Sequence, residues 1–450
     1  MLIPLIVSAL LIQCPIEIDE APMTPGGLSG TSVAIYGDVI AIGSPLGTGN
    51  EWASGVILVY RLDGNNWIKE AELIADDLDA GDMMGVSVDI YENRIIAGAW
   101  FEDQEGSNSG AAYIFEHQQG QWSQTAKLVA SDVSAEDTFG RRVAIQNDIC
   151  VVTSPLDDDN GSTSGSAYIF RYSKGTQTWD QDQKLNAKSG ASDDQFGLGL
   201  AMDANTIVVG SPWANNGAGQ VHIFQSKGNK FEETQIISDP SASSGDNFGF
   251  GVSVDNATIA IGSYHDSDLN FDAGSVFIYS KKSKGNWLYQ QKIYPEDGVP
   301  GEQFGVDVSI DDNTLLIGHR FGLSSDVSTG IASTYKTIGN KWEYQSRLEP
   351  SMNFNGAEFG WSVDLHGSNA VIGAPWAEPD GYAEFYGDIV NGCQCDSDVN
   401  EDGIVGVADL LAVIAAWGDS CSDCPEDVNN DSSIDVSDIL LIINSWGVCK

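Results

Sequence analysis

Seven β-propeller blades followed by a small all-α calcium-loop domain is the fold class that this mainly-β sequence predicts. Three observations lead there. A Phe-Gly unit recurs seven times at a spacing close to 55 residues. Within each unit small and apolar residues alternate with a period of two. After residue 391 the pattern changes to two acidic loops, each leading into a short apolar helix.

Composition bounds the rest. The 450 residues are 42% hydrophobic and 9% aromatic, enough for a substantial core. Asp and Glu total 65 against 21 Lys and Arg, a formal charge of −44. At long range such a surface repels nucleic acid and anionic lipid. It suits divalent cations, basic partners or neutral sugars, and it also keeps a protein soluble.

Residues 1–14 read as a signal peptide. Leu2 to Ile12 is one apolar run, too short for a bilayer that takes about 20 residues. No Lys or Arg precedes it and no clean small-residue cleavage site follows. Gln13 occupies the place where a lipoprotein site at Cys14 would need a small residue. No other segment could cross a membrane, so the expected location is secreted or at the cell surface. Five of the seven cysteines lie after residue 392, which predicts local disulfides and an oxidising compartment.

Residues 15–390 hold the repeats. The repeat glycines are Gly30, Gly85, Gly140, Gly197, Gly249, Gly305 and Gly360; Phe precedes the last five, Met84 and Ser29 the others. The fifth unit shows the four strands: Gly251 to Asp255, Thr258 to Gly262, Gly274 to Tyr279 and Trp287 to Ile293. Trp67, Trp122, Trp179, Trp287 and Trp342 open the last strand, with Phe231 in the fourth unit, and are expected in the core. Four strands per repeat indicate propeller blades. The seventh unit lacks its last strand. The segment from Ile16 to Asp19 lies near the chain start, 12 residues before Gly30 as Leu73 is before Gly85, so the N-terminal strand is expected to close the last blade.

Two recurring positions invite a functional reading. A carboxylate stands three residues before the repeat glycine at Asp82, Asp137, Asp194, Asp246 and Glu302; it either faces a ligand or bonds its own turn backbone. A second ring comprises Leu46, Phe101, Leu156, Trp213, His265, Phe321 and Trp376; it either contacts a ligand or packs between blades.

Phe359-Gly-Trp-Ser-Val with Ile372-Gly-Ala-Pro375, and Phe196-Gly197 with Gly210-Ser-Pro212, resemble the FG-GAP repeat of integrin α-subunit propellers. The resemblance implies a seven-bladed, usually extracellular propeller used for binding a protein or glycan. Members often hold Ca²⁺ in an Asp-x-Asp-x-Asp-Gly loop. Asp157 to Gly161 and His265 to Asn270 are acidic but misspaced, leaving open calcium binding or a solvated acidic loop.

In residues 391–450, Asp398, Asn400, Asp402, Ile404 and Asp409 fall at positions 1, 3, 5, 7 and 12 of a calcium loop, with Gly403 at the sharp turn. Asp427, Asn429, Asp431, Ser433 and Asp438 repeat the pattern 29 residues later, Ser432 replacing the glycine. These ten residues are the predicted Ca²⁺ ligands. Cysteines bracket each copy, and symmetry suggests Cys395–Cys421 and Cys424–Cys449. The duplicated unit resembles a type I dockerin. That implies a cohesin-like or cell-surface protein as partner, although the recognition pair is Val407-Ala408 and Val436-Ser437 rather than Ser-Thr.

No catalytic constellation is present: His117, His222, His265, His319 and His366 are scattered, and no P-loop or nucleophile elbow occurs. The expected function is a calcium-binding adhesion or binding protein. The alternatives are an accessory or catalytic component of extracellular polysaccharide degradation, with any enzyme activity of the glycoside hydrolase type, and a structural envelope protein.

Overall fold

The computed structural model describes residues 15–17, 27–64, 66–282, 285–324, 327–387 and 389, and towards the C-terminus 399, 404–417, 424, 427–428, 433–444 and 447–448. The chain divides into two compact units, residues 17–385 and residues 386–450 with 1–16.

The first unit contains seven four-stranded sheets. Their first strands are Ser32–Tyr36, Met84–Tyr91, Val143–Gln146, Gly199–Asp203, Val252–Asp255, Phe304–Asp311 and Ser362–His366. In six sheets the strands pair in chain order. In the seventh, Tyr382–Tyr386 is flanked on its outer side by Pro15–Glu17 from the other end of the chain. The ring also closes at its inner edge. Val33 N donates to Ser362 Oγ (3.0 Å) and Ile35 N to Asp364 Oδ2 (2.8 Å), joining residues 329 positions apart.

The repeat Phe side chains sit between neighbouring sheets, as Phe139 does in a cluster with Ile96 and Ile114 of the second blade and Tyr168 and Phe170 of the third. Phe139, Phe196, Phe248, Phe304 and Phe359 are fully buried. Phe139 meets Tyr168 edge-on at 5.4 Å, and Phe248 meets Phe277 at 5.1 Å. Each such ring removes enough apolar surface to contribute about 1.5–3 kcal/mol. Of the strand-opening aromatics, Trp67, Trp287, Trp342 and Phe231 are buried, while Trp122 and Trp179 are half-buried against the core. Outer strands are clipped together by glutamine amides. Gln183 accepts from Phe231 N (3.0 Å) and donates to Phe231 O (2.7 Å); Gln235 does the same for Trp287, and Gln291 for Trp342. A bulge recurs at one place in the third-to-fourth strand pairing, for example between Ile169 and Phe170, and sharpens the twist.

In the second unit, helices Val407–Ala415 and Val436–Asn444 bury Val413 and Ile442 with Val399, Val428 and Ile434. Ile404–Val405 pairs antiparallel with Gly447–Val448. Among the described residues no helix is long and apolar enough to cross a membrane.

Candidate functional site

Antiparallel pairing decides which loops share a face. Val143 lies opposite Val152 and Val363 opposite Ile372, so each first strand begins where the second ends. The loops after the second strand and those between blades therefore emerge together. The other face carries tight turns such as the one closed by Asp203 and Thr206. The long-loop face displays four strongly exposed aromatics, Trp52 (73%), Phe271 (70%), Trp376 (54%) and Trp213 (47%), while Tyr289 is exposed on an outer strand.

The seven-position ring lies on this face. Trp213 and Trp376 are exposed and Leu46, Phe101, Leu156, His265 and Phe321 half-buried. Inter-blade packing therefore takes part of each side chain and leaves the rest open. Phe321 N donates to Glu302 O (3.1 Å) and Trp376 N to Ala357 O (3.2 Å), which fixes the loop at those positions. Phe101 stacks on Trp100 (4.1 Å, 13°), and His265 lies 4.2 Å from Tyr264, itself 4.9 Å from Phe250.

Three guanidiniums sit among these rings. Arg141 lies 4.8 Å from the Trp100 ring, Arg142 5.8 Å from Phe250, and Arg320 4.5 Å from Trp361 and 4.8 Å from Phe321. Burial, and secondarily the adjacent Arg142, pulls the Arg141 pKa down to about 9, still cationic at neutral pH. The sequence reading missed Trp100, Arg141, Arg142, Phe250 and Tyr264. The available signal was their position, one or two residues after a repeat glycine or one before a ring residue.

Arg142 and Phe250 also line the central channel, a cavity of about 260 Å³ edged by the first strands of all seven blades. Asp89, Asp307 and Asp364 line it too. They act as inter-blade clips: Asp89 accepts from Ile145 N (2.6 Å), Asp307 from Val363 N (2.9 Å) and Asp364 from Ile35 N (2.8 Å). Desolvation pushes Asp89 and Asp364 up to about 7 and Asp307, which faces Arg142, to about 6.

A pH dependence follows. Asp82 and Asp137 are likewise raised by burial to about 6. Folded-state values above the unfolded one mean that the native protein holds more protons. These groups therefore take stability away as pH rises from about 4 to 7. Burial lowers His265 and His319, which opposes this below their ordinary pKa, but they are two groups against five. The melting midpoint should rise on acidification from pH 8 to about 5.5. It should then fall as paired carboxylates such as Asp77 and Asp157, held low by Lys127 and Lys184 against their desolvation, become protonated. Calorimetry of the wild type and of Asp89→Asn/Asp364→Asn tests this; an equally steep slope in the variant refutes the assignment.

The two acidic loops after second strands contain a cation of the chain's own. Lys184 Nζ lies 2.8, 2.9 and 2.6 Å from Asp132, Asp157 and Asp159. Lys292 Nζ lies 2.6 Å from both Asp266 and Asp268. Lys127 repeats the arrangement with Asp77 (2.7 Å) and Glu102 (2.9 Å). Asp132 and Asp77 come from the preceding inter-blade loops, so each ammonium also pins neighbouring blades. The carboxylates before the repeat glycines bond their own turns. Asp82, Asp137, Asp194, Asp246 and Glu302 each accept from the backbone N–H three residues earlier, at 2.6–2.9 Å. On the opposite face Asp255, Asp311 and Asp312 come together, and Asp255 accepts from Asp312 N (2.9 Å).

In the second unit Asp409 and Asp438 are fully buried in the first helical turns, and Asp427 is 4% exposed. Asp409 accepts from Gly406 N (2.7 Å) and Asp438 from Asp435 N (2.8 Å), an equivalence that matches the sequence duplication. Ile404 is in a strand and Ser433 in a loop. Asp398, Asn400, Asp402, Asn429 and Asp431 lie outside the described residues, as do Cys395, Cys421 and Cys449. The helices expose Val407, Leu411 and Ile414, and 29 residues on Val436, Leu440 and Ile443.

A comparison with curated proteins finds no match. The FG-GAP repeat family model matches six segments, residues 67–115, 122–170, 179–224, 231–279, 287–334 and 342–384. Each begins on an outer strand and ends in the third strand of the next blade. The three inner strands of the first blade fall outside these matches and complete a seventh unit in the structure. With well over half of its length matched in this way, the chain belongs to the FG-GAP repeat family.

Proposed function

We propose that this is an extracellular, calcium-dependent binding protein. Its propeller grips a protein or glycan on the long-loop face, and its C-terminal unit anchors it to a cohesin-like or cell-surface partner. The observation that carries the reading is the presence on one face of exposed tryptophans and of arginines set over aromatic rings, with Arg142 and Phe250 also lining the channel. Large amphipathic rings in solvent cost solubility and are kept where they meet a ligand.

The anchoring half is supported by the duplicated acidic pattern and by the paired apolar stripes. Two helices that leave three equivalent residues each in water offer a two-fold docking surface. In this reading Asp398, Asn400, Asp402, the Ile404 carbonyl and Asp409 hold one Ca²⁺, and Asp427, Asn429, Asp431, Ser433 and Asp438 a second. The buried carboxylates of Asp409, Asp427 and Asp438 offer the hard oxygen atoms that a divalent ion takes as ligands. Disulfides from Cys395 and Cys424 would then brace the two copies.

The test is calorimetric titration of the full chain with Ca²⁺, followed by retention on native cell envelopes with and without chelator. We expect two equivalents of uptake, one in Asp409→Ala, and retention lost with chelator or in Leu411→Asp/Leu440→Asp. Unchanged retention in chelator refutes the anchoring role.

A further inference from the structure

We propose that the ligand of the long-loop face is an otherwise neutral glycan bearing an isolated carboxylate, received by Arg141 and Arg142. The inference rests on the binding reading above and names its ligand class.

Five of the seven arginines are paired with carboxylates: Arg61 with Glu70, Arg94 with Glu116, Arg171 with Asp182, Arg320 with Glu358 and Arg347 with Asp297. Arg141 and Arg142 form no ion pair among the described residues, in a chain where acids outnumber bases three to one. Arg142 donates Nε to Leu198 O (3.0 Å), and Arg141 has only the Trp100 face. The two adjacent, half-buried guanidiniums repel one another and have lost much of their hydration; Arg142 has the Asp307 carboxylate in electrostatic reach along the channel, and Arg141 has none among the described residues. Such an arrangement is unfavourable for the empty protein and favourable once an anion arrives. A guanidinium held over an aromatic ring, as Arg141 is 4.8 Å from the Trp100 ring, has lost part of its freedom and offers a planar fork able to bind carboxylate bidentately.

The aromatic side chains decide what carries that carboxylate. Trp213 and Trp376 make no ring or cation contact among the described residues, and each leaves about half of its surface in water. Flat indoles in solvent match the apolar face of a pyranose ring. The protein's own charge limits how many acids the ligand carries. At physiological salt screening acts over about 8 Å, so one carboxylate feels chiefly the two guanidiniums. A polyuronate would bring its further charges against a surface of net −44.

The test is a binding screen of the calcium-loaded full chain on immobilised glycans. The set comprises neutral xylan, xylan with isolated glucuronate side groups, other sparsely acidic glycans, polygalacturonate and an acidic peptide. Every acidic glycan is paired with its carboxyl-reduced form. We expect a sparsely acidic glycan to be bound and to lose about tenfold or more on reduction. We expect the same loss in Arg141→Gln, whose melting midpoint should be unchanged or raised because the guanidinium has no structural counter-charge. Glycan binding indifferent to reduction overturns this inference and leaves the binding reading standing. Binding of the acidic peptide alone makes the partner a protein and also overturns it. Failure to bind any member overturns both. A lowered midpoint in Arg141→Gln would make the residue a structural one.

Discussion

Gly98→Ala should cost the propeller about 4 kcal/mol or more and sharply reduce soluble yield. A Cβ at this second-strand position would stand 1.8 Å from the carbonyl oxygen of Gly140 in the next blade. No rotamer relieves it, because both partners are backbone; a whole blade must move. The contact recurs around the ring. Gly43, Gly210, Gly262, Gly318 and Gly373 meet the carbonyls of Gly85, Gly249, Gly305, Gly360 and Gly30 at 1.8–2.1 Å by the same measure. Only the third blade differs, where Thr153 donates its hydroxyl to Gly197 O at 2.8 Å. The repeat glycine is constrained from its own side as well, since Gly140 sits at φ +95°. The two glycines of the repeat are thus the two sides of one close approach between blades. Gly175→Ala is the control: nothing lies within 4 Å of its Cβ, and a change below about 1 kcal/mol is expected. Urea unfolding followed by tryptophan fluorescence compares them, and equal midpoints would refute the account.

The second large effect concerns the lysine-filled loops. Lys184→Met should destabilise the protein by about 2–3 kcal/mol, and millimolar Ca²⁺ should restore much of the loss. Burial works against the Lys184 ammonium, but the hydrogen bonds it donates to Asp132, Asp159 and Asp157 more than offset it and raise its pKa. Removing it leaves three carboxylates around one point, with Asp157 buried and Asp132 and Asp159 about half exposed. That exposure puts the expected cost below the 3–5 kcal/mol of a fully buried broken pair. The variant then has three hard oxygens in cation-binding array, while the wild type has its own cation there. Melting curves with Ca²⁺ and with chelator read the difference. A wild type as calcium-sensitive as the variant at this blade would overturn the view that the lysine stands in for a metal.

The turn carboxylates show how far local pattern carries. Asp82 and its counterparts bond backbone three residues away, so spacing alone was sufficient to suggest the interaction. The misspaced acidic loops show where it stops. Asp157 to Gly161 reads as a damaged calcium loop until Lys184, 27 residues from Asp157, is seen to fill it. Similarly, the ring from Leu46 to Trp376 was legible as a repeated position, but whether it faces packing or solvent depends on how far each loop projects. The duplicated acidic pattern of the C-terminal unit was legible because its spacing is local, and calcium binding by it is the proposal made above. The structure adds to it the burial of Asp409, Asp427 and Asp438 and the stripes from Val407 and Val436.

The number of blades, the four-strand unit, the recurrence of the Phe-Gly pair and the need for an N-terminal strand in the last sheet were all legible in the sequence. All of these are periodic, and a period can be read without knowing what touches what. Tertiary structure alone decided the candidate site. Trp100, Arg141, Phe250 and Trp376 come from four different blades and share a face because the ring closes. Closure, through backbone approaches that only glycine permits, sets which side chains meet across a blade boundary and which cations are left without a counter-charge.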